Sequence, residues 1–152
     1  MAASNVHHKW FIGVLVGLIL LALTVPVVAE EAIKVGLITP LTGSVSTFGL
    51  SVRNAVVMGV EQINQTGGIK GRPIDLIIYD DKGDATEAAN STRRLIDRDQ
   101  VALVIGPVIT PCVLAAAPIA QDAGIPLMTP TGTGDTITSI GDMIFRAAYK
   151  DS

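Results

Sequence analysis

Hydroxyl groups, not titratable ones, dominate the positions where this chain could do chemistry. Thr110 precedes Pro111, and proline is favoured at the first helical position, so Thr110 is expected to cap a helix N-terminus. Such an end presents free N–H groups and a partial positive charge, which suit a carboxylate. Two possibilities stay open for Thr110: a plain cap, or a group that holds a ligand anion. Thr131 and Thr133 flank Gly132. Their hydroxyls and the glycine backbone either receive a ligand or form an ordinary turn. Phe48 either walls an apolar pocket or staples a helix start to the core. Asp80-Asp81 could suggest a metal or a general acid and base. The run Asp80-Asp81-Lys82-Gly83-Asp84 nevertheless reads well as a polar loop ending in a helix cap. Gly132-x-Gly134 lacks the third glycine of a dinucleotide fingerprint, and no Gly-Lys-Ser/Thr exists for a P-loop.

What is missing narrows the chemistry further. Both histidines, His7 and His8, stand near the N-terminus, so the body of the chain has none. That removes the usual general base, the usual zinc ligand and every Ser-His or Cys-His pairing. With Cys112 as the one cysteine, no intrachain disulfide and no thiolate cluster can form. The pattern offers no catalytic constellation, no metal site and no cofactor, which argues against an exported α/β enzyme. All 14 acidic residues and all but Lys9 of the 11 basic ones follow residue 29. An acidic body without a basic patch is a poor partner for nucleic acid.

Residues 10–28 run without a charge after His7-His8-Lys9, Pro26 breaks the run near its end, and Val27-Val28-Ala29 supplies small residues. This is the pattern of a secretory signal peptide over residues 1–29, with cleavage expected after Ala29 and an exported body. An uncleaved membrane anchor is the alternative, since 19 apolar residues can just span a bilayer.

The elements that must position the hydroxyls alternate. Residues 33–38 are a β-branched first strand. Residues 48–65 place Val52, Val56, Val60 and Ile63 on one helix face, and Thr66-Gly67-Gly68 ends that helix. Residues 74–79 are a second strand. Asp84 is the expected N-cap of a second helix, with Glu87 completing a capping box. Ala88, Thr92, Leu95 and Ile96 make its face up to about Arg98, and the polar Thr92 predicts shallower burial than in the first helix. The unbroken apolar run 101–105 suits a third strand covered on both faces. Residues 110–123 are a third helix in which Pro118 predicts a kink or a late start. Residues 126–128 and 143–147 supply a fourth and a fifth strand. This order predicts an α/β fold, a parallel sheet with helices on both faces. Ligands of such a sheet bind beyond the carboxyl ends of its strands, where the loops 39–49, 106–111 and 129–135 lie. The chain stops just after a strand with no helix to cover it, which suggests a fragment or a truncated frame.

The run Ile33-Lys34-Val35-Gly36-Leu37-Ile38-Thr39-Pro40-Leu41-Thr42-Gly43, followed by Phe48-Gly49, resembles the start of the periplasmic branched-chain amino-acid-binding proteins of ABC transporters. Ile63-Asn64-Gln65-Thr66-Gly67-Gly68-Ile69-Lys70-Gly71-Arg72, Tyr79-Asp80-Asp81, Val104-Ile105-Gly106-Pro107 and Gly124-Ile125-Pro126-Leu127-Met128-Thr129-Pro130 continue the match. The resemblance implies that residues 30–152 are part of the N-terminal lobe of a two-lobed type I periplasmic binding protein. It implies a small amino-acid ligand, a membrane permease as partner, a periplasmic monomer and no catalysis. By position it implies ligand-binding roles for Phe48, Thr110, Thr131 and Thr133. Gly83 and Ile109 stand where one type in the family pairs two cysteines, so that bridge is absent. The second lobe, with the acidic partner for the ligand ammonium, is absent too, and weak or no binding by this polypeptide alone is expected. A ligand-sensing receptor ectodomain or a nonfunctional remnant are the alternatives. The identity of the amino acid or amide is not legible.

Overall fold

A computed structural model describes residues 31–151; the proposed leader lies outside the described residues. The elements are β1 (Ile33–Thr39), α1 (Ser46–Gln65), β2 (Ile74–Asp80), α2 (Ala85–Arg93), β3 (Leu103–Ile105), α3 (Thr110–Asp122), β4 (Leu127–Thr129) and β5 (Ile144–Arg146). α2 continues through a π-helical stretch at Arg94–Arg98. The strands form one sheet in the order β2-β1-β3-β4-β5, and every neighbouring pair is parallel. This is the expected α/β sheet with helices on both faces. Among the described residues, no helix is long and apolar enough to cross a membrane.

Alternation along the strands sorts side chains to two faces. Ile38, Val104, Leu127 and Ile144 turn to the side of α2 and α3, where they join Leu95, Val113, Ala116, Ala117 and Ala120 in the main core. Val35, paired with Leu103, and Met128, paired with Phe145, turn to the side of α1. The third strand departs from its expected double covering. Val104 is fully buried, but Leu103 and Ile105 are only half-buried.

The ranking of the first two helices is also reversed. α2 buries Ala88, Ser91 and Thr92, whereas Gly49 is the one residue of α1 that is buried. Thr92 does not keep its helix near the surface, because its hydroxyl donates to the Ala88 carbonyl at 2.8 Å. A hydroxyl satisfied inside its own helix can be buried cheaply. Val52, Val56 and Val60 of α1 are half-buried and Ile63 is 38% exposed, so one flank of that stripe meets no neighbour.

Cap chemistry sets the helix ends. Asp84 caps α2 by accepting from Thr86 and Glu87 N–H, both at 2.9 Å. The capping box is only half formed, because Asp84 N–H donates to the Asp81 carbonyl and not to Glu87. Gly67 and Gly68 take positive φ after α1, and Gly68 N–H closes back on Ile63. α3 runs through Pro118 without starting late. The carbonyl that Pro118 deprives of a partner belongs to Leu114 on the exposed side, where water can serve it.

Candidate functional site

The four residues singled out from the sequence line one cavity. Phe48, Thr110, Thr131 and Thr133 surround it together with Val45, Val108, Ile109 and Pro111, in a volume of about 340 Å³. It lies beyond the carboxyl ends of β1, β3 and β4, where the loops that follow those strands converge. No charged side chain lines it.

Several contacts bring the loops together. Gly106 has φ +95, and a Cβ there would run into the Ile38 carbonyl, so glycine lets the end of β3 close on β1. The buried Thr129 hydroxyl donates to the Pro107 carbonyl at 2.7 Å and accepts from Gly132 N–H at 3.0 Å. One side chain thereby fixes the β3 and β4 loops against each other. From β5, Arg146 donates to the Thr133 and Gly134 carbonyls at 3.2 and 3.0 Å and holds the far side of the β4 loop. On the β1 side, Asp80 accepts from Leu41 N–H at 2.8 Å and from the Thr42 hydroxyl at 2.6 Å. Burial works to raise the Asp80 pKa. The hydrogen bonds from Thr42, Lys82 and Leu41 outweigh it and hold the carboxyl below its ordinary value. Asp80 therefore organises the loop that precedes Phe48, which leaves the acid–base reading without support.

Thr110 is not the cap that the Thr-Pro pair predicted. Ile109, in extended conformation, holds that position without a side-chain bond, and Thr110 is the first helical residue. Its hydroxyl is engaged across the cavity rather than back on its helix, accepting from Gly134 N–H at 3.2 Å. That bond uses a lone pair and leaves the hydroxyl proton free to donate outward. Thr131 is the converse: its hydroxyl donates to the Val108 carbonyl at 2.6 Å, which spends the proton and leaves oxygen lone pairs. Thr133 uses its backbone carbonyl for Arg146 and Asp151 N–H, and its hydroxyl has no partner among the described residues. Phe48 is 67% exposed, so it does not staple α1 to the core and stands open beside the cavity.

The cavity thus offers a hydroxyl donor, a hydroxyl acceptor, an uncommitted hydroxyl and the first turn of α3, whose N–H groups lack intrahelical partners. It holds nothing that can act as a nucleophile with a paired base. Cys112 is buried next to this turn, and burial, reinforced by the charges of Asp81 and Asp84, pushes its thiol up to about 12. Such a thiol is inert. Among the described residues no group of acidic, histidine and cysteine side chains could hold a metal. The positioning roles of Thr129 and Arg146 had no sequence signal beyond their types. Each depends on a partner 12 to 22 residues away.

Residues 32–152 match the family described as periplasmic binding protein. A relative from Pseudomonas aeruginosa, the leucine-, isoleucine-, valine-, threonine-, and alanine-binding protein, is 35% identical over 125 residues, covering 82% of this chain and 33% of the relative. The structure is similar to that of the branched-chain amino acid transporter substrate binding protein LivJ from Streptococcus pneumoniae in complex with isoleucine. The TM-score is 0.77 at 32% identity, over 78% of this chain and 34% of that one. It is also similar to a solute binding protein of an ABC transporter from Rhodopseudomonas palustris in complex with 3,4-dihydroxy benzoic acid. There the TM-score is 0.73 at 32% identity, over 80% of this chain and 33% of that one. The chain spans about a third of the length of these proteins.

Proposed function

This chain belongs to the periplasmic binding protein family, and from that premise we propose that it is the ligand-gripping part of an extracytoplasmic substrate-binding component of an ABC transporter for branched-chain or related amino acids. The observation that carries this reading is the uncharged cavity in which Thr110, Thr131, Thr133 and Phe48 meet. A free amino acid has a carboxylate and an ammonium on one carbon. The Thr110 hydroxyl, its lone pair committed to Gly134, donates to the carboxylate beside the first turn of α3. The Thr131 oxygen, its proton committed to Val108, accepts from the ammonium. Thr133 serves either group, and Phe48 folds over the aliphatic part. No bond is made or broken.

The remaining contacts come from a second lobe that closes over this one by a hinge motion, the closed form being recognised by the membrane permease. The body works in the periplasm as a monomer, delivered by residues 1–29 and cleaved after Ala29. A receptor ectodomain would instead keep residues 10–28 as an anchor, and sequencing the N-terminus of the mature protein separates the two. With half of its contacts, the chain alone is expected to hold leucine only in the millimolar range. Titration of the labelled chain with leucine, followed by amide chemical shifts, tests the site. Shifts centred on Thr110, Thr131, Gly132 and Thr133 are expected. A response to 3,4-dihydroxybenzoate but not to leucine would reassign the ligand while keeping a carboxylate in the site. Micromolar leucine affinity would contradict the need for a second lobe, and turnover of any metabolite would end the reading.

A further inference from the structure

A second cavity lies at the opposite end of the sheet, against the amino ends of β1 and β3. Its volume is about 460 Å³, larger than that of the hydroxyl-lined cavity. Unlike that cavity it is charged: Lys34 and Arg72 line it together with Glu31, Gln100 and Ala102. Neither Lys34 nor Arg72 is in an ion pair among the described residues. Both are half-buried, so salt screens their charges less than those of exposed side chains. Local structure fixes the guanidinium. Ile69-Lys70-Gly71-Arg72 is a tight two-residue turn closed from both ends. Ile69 N–H donates to the Arg72 carbonyl at 2.8 Å, and Arg72 N–H donates to the Ile69 carbonyl at 3.1 Å. Lys70 and Gly71 take positive φ, +53 and +85, as a type I′ turn requires. Arg72 Nε then donates to the Glu31 carbonyl at 2.7 Å. That bond spends one donor and leaves the four N–H groups of the outer nitrogens without a partner among the described residues. On the other wall, Ala102 N–H donates to the Lys34 carbonyl at 2.8 Å, and Gln100, in left-handed backbone at φ +57, turns the chain toward β3.

We propose that this cavity binds an oxyanion of the phosphate class, either free phosphate or the phosphate of a lipid headgroup. Lys34 supplies a point charge, and Arg72 supplies a planar fork that suits two oxygens. Gln100 adds a neutral amide donor. These groups come from β1, from the turn before β2 and from the segment before β3. A tetrahedral phosphate presents oxygens in several directions, whereas the fork alone satisfies a planar carboxylate. Glu31 is exposed and its carboxylate opposes the anion, but the lining still carries two cations against one. The turn and the Nε bond hold Arg72 in place before binding, which reduces the ordering entropy lost on association. Partial exposure keeps the affinity in about the millimolar range. Glu31 follows closely on the uncharged run 10–28, which makes a lipid surface one of the two sources to be separated. The inference is independent of how the hydroxyl-lined cavity binds its ligand. At about 3.3 Å per residue, β1 sets the two cavities roughly 20 Å apart.

The test titrates the labelled chain with sodium phosphate at constant ionic strength and follows amide chemical shifts. Saturable shifts are expected at Lys34, Arg72, Gln100 and Ala102, with Thr110, Thr131 and Thr133 unmoved. Leucine is expected to do the converse, so the failure of either reading shows separately. Lys34→Gln and Arg72→Lys should each weaken phosphate binding about three- to fivefold, the second because an ammonium lacks the fork. Lys34 lies outside the turn, so Lys34→Gln keeps the test decisive if Arg72→Lys disturbs the fold. Glu31→Gln should strengthen binding by removing the opposing charge. Lys70 is exposed and does not line the cavity, so Lys70→Gln controls for general surface charge and should change the affinity less than about twofold. Glycerophosphoglycerol, the water-soluble headgroup of phosphatidylglycerol, separates the sources. Saturable shifts with both probes identify the lipid headgroup, and shifts with phosphate alone identify free phosphate; either upholds the proposal. Shifts that do not saturate, equal shifts with sodium chloride, or equal losses for Lys70→Gln and Lys34→Gln would each overturn it.

Discussion

On the side of the sheet that meets α2 and α3, Val104 and Leu127 are fully buried and Ile144 nearly so. Their immediate neighbours Ile105, Met128 and Phe145, turned the other way, are half-buried or exposed. The strands are the same and the residues are equally apolar. What differs is the partner: two small-residue helices close on one face, while one helix covers less than half of the other. The difference teaches that the β3 and β4 loops around the cavity are braced from the closed side. Thr129 continues the buried row of Leu127, and α3, which carries Thr110, packs on that row through Val113, Ala116 and Ala117.

The sharpest way to break this contrast is to truncate adjacent residues on opposite faces. Leu127→Ala should cost about 2–5 kcal/mol in urea unfolding, whereas Met128→Ala should cost less than about 1 kcal/mol. Equal losses would mean that both faces are packed alike. Next in size is Thr129→Val, which leaves Gly132 N–H without its buried acceptor and should cost about 1–3 kcal/mol. It should also shift the amides of Thr131 and Thr133, which a purely local defect would leave in place.

A pH series extends the comparison to the loops at the strand ends. Asp81 is fully buried, accepts from Gly83 N–H at 3.1 Å and has a second oxygen with no partner. Burial pushes its carboxyl above the ordinary value, against the Gly83 bond and with help from the Asp80 charge. A raised folded-state pKa contributes stability at low pH that is lost as pH rises through it. Asp81→Asn should therefore gain stability relative to the parent on going from acid to neutral pH, and a gap independent of pH would contradict the assignment. Asp80 has the opposite sign: its lowered pKa contributes stability at neutral pH that is lost on acidification, so Asp80→Asn should be most harmful at neutral pH. The smallest effect on stability is expected for Phe48→Ala, within about 0.5 kcal/mol because the ring is mostly exposed. The same change should weaken leucine-induced shifts if the ring covers the ligand.

Much of the fold was legible because it follows local rules. β-branched runs marked the strands, Asp84 marked a helix start and Gly67-Gly68 a helix end, and their order implied a parallel sheet. The site was legible as residue types and by its resemblance to a known family. The errors came where a hydroxyl's hydrogen-bond partner could not be read from its residue type, whether that partner lay far along the chain or one helical turn away. Thr110 was expected to serve its own helix and instead accepts from Gly134, 24 residues on. Thr92 was expected to keep α2 shallow, but an internal bond removes the cost of burying it.

The sequence by itself determined the alternation of strands and helices, the lack of a histidine-based catalytic group in the body, and the hydroxyl-rich, charge-poor character of the three loops. These are properties of composition and of neighbours within a few residues. Tertiary structure alone decided that the three loops meet in one cavity, which hydroxyl keeps its proton and which keeps its lone pairs, and that one face of the sheet is closed while the other stands open. Those outcomes depend on which distant segments come into contact, and periodicity along a chain cannot encode the identity of a partner across the sheet.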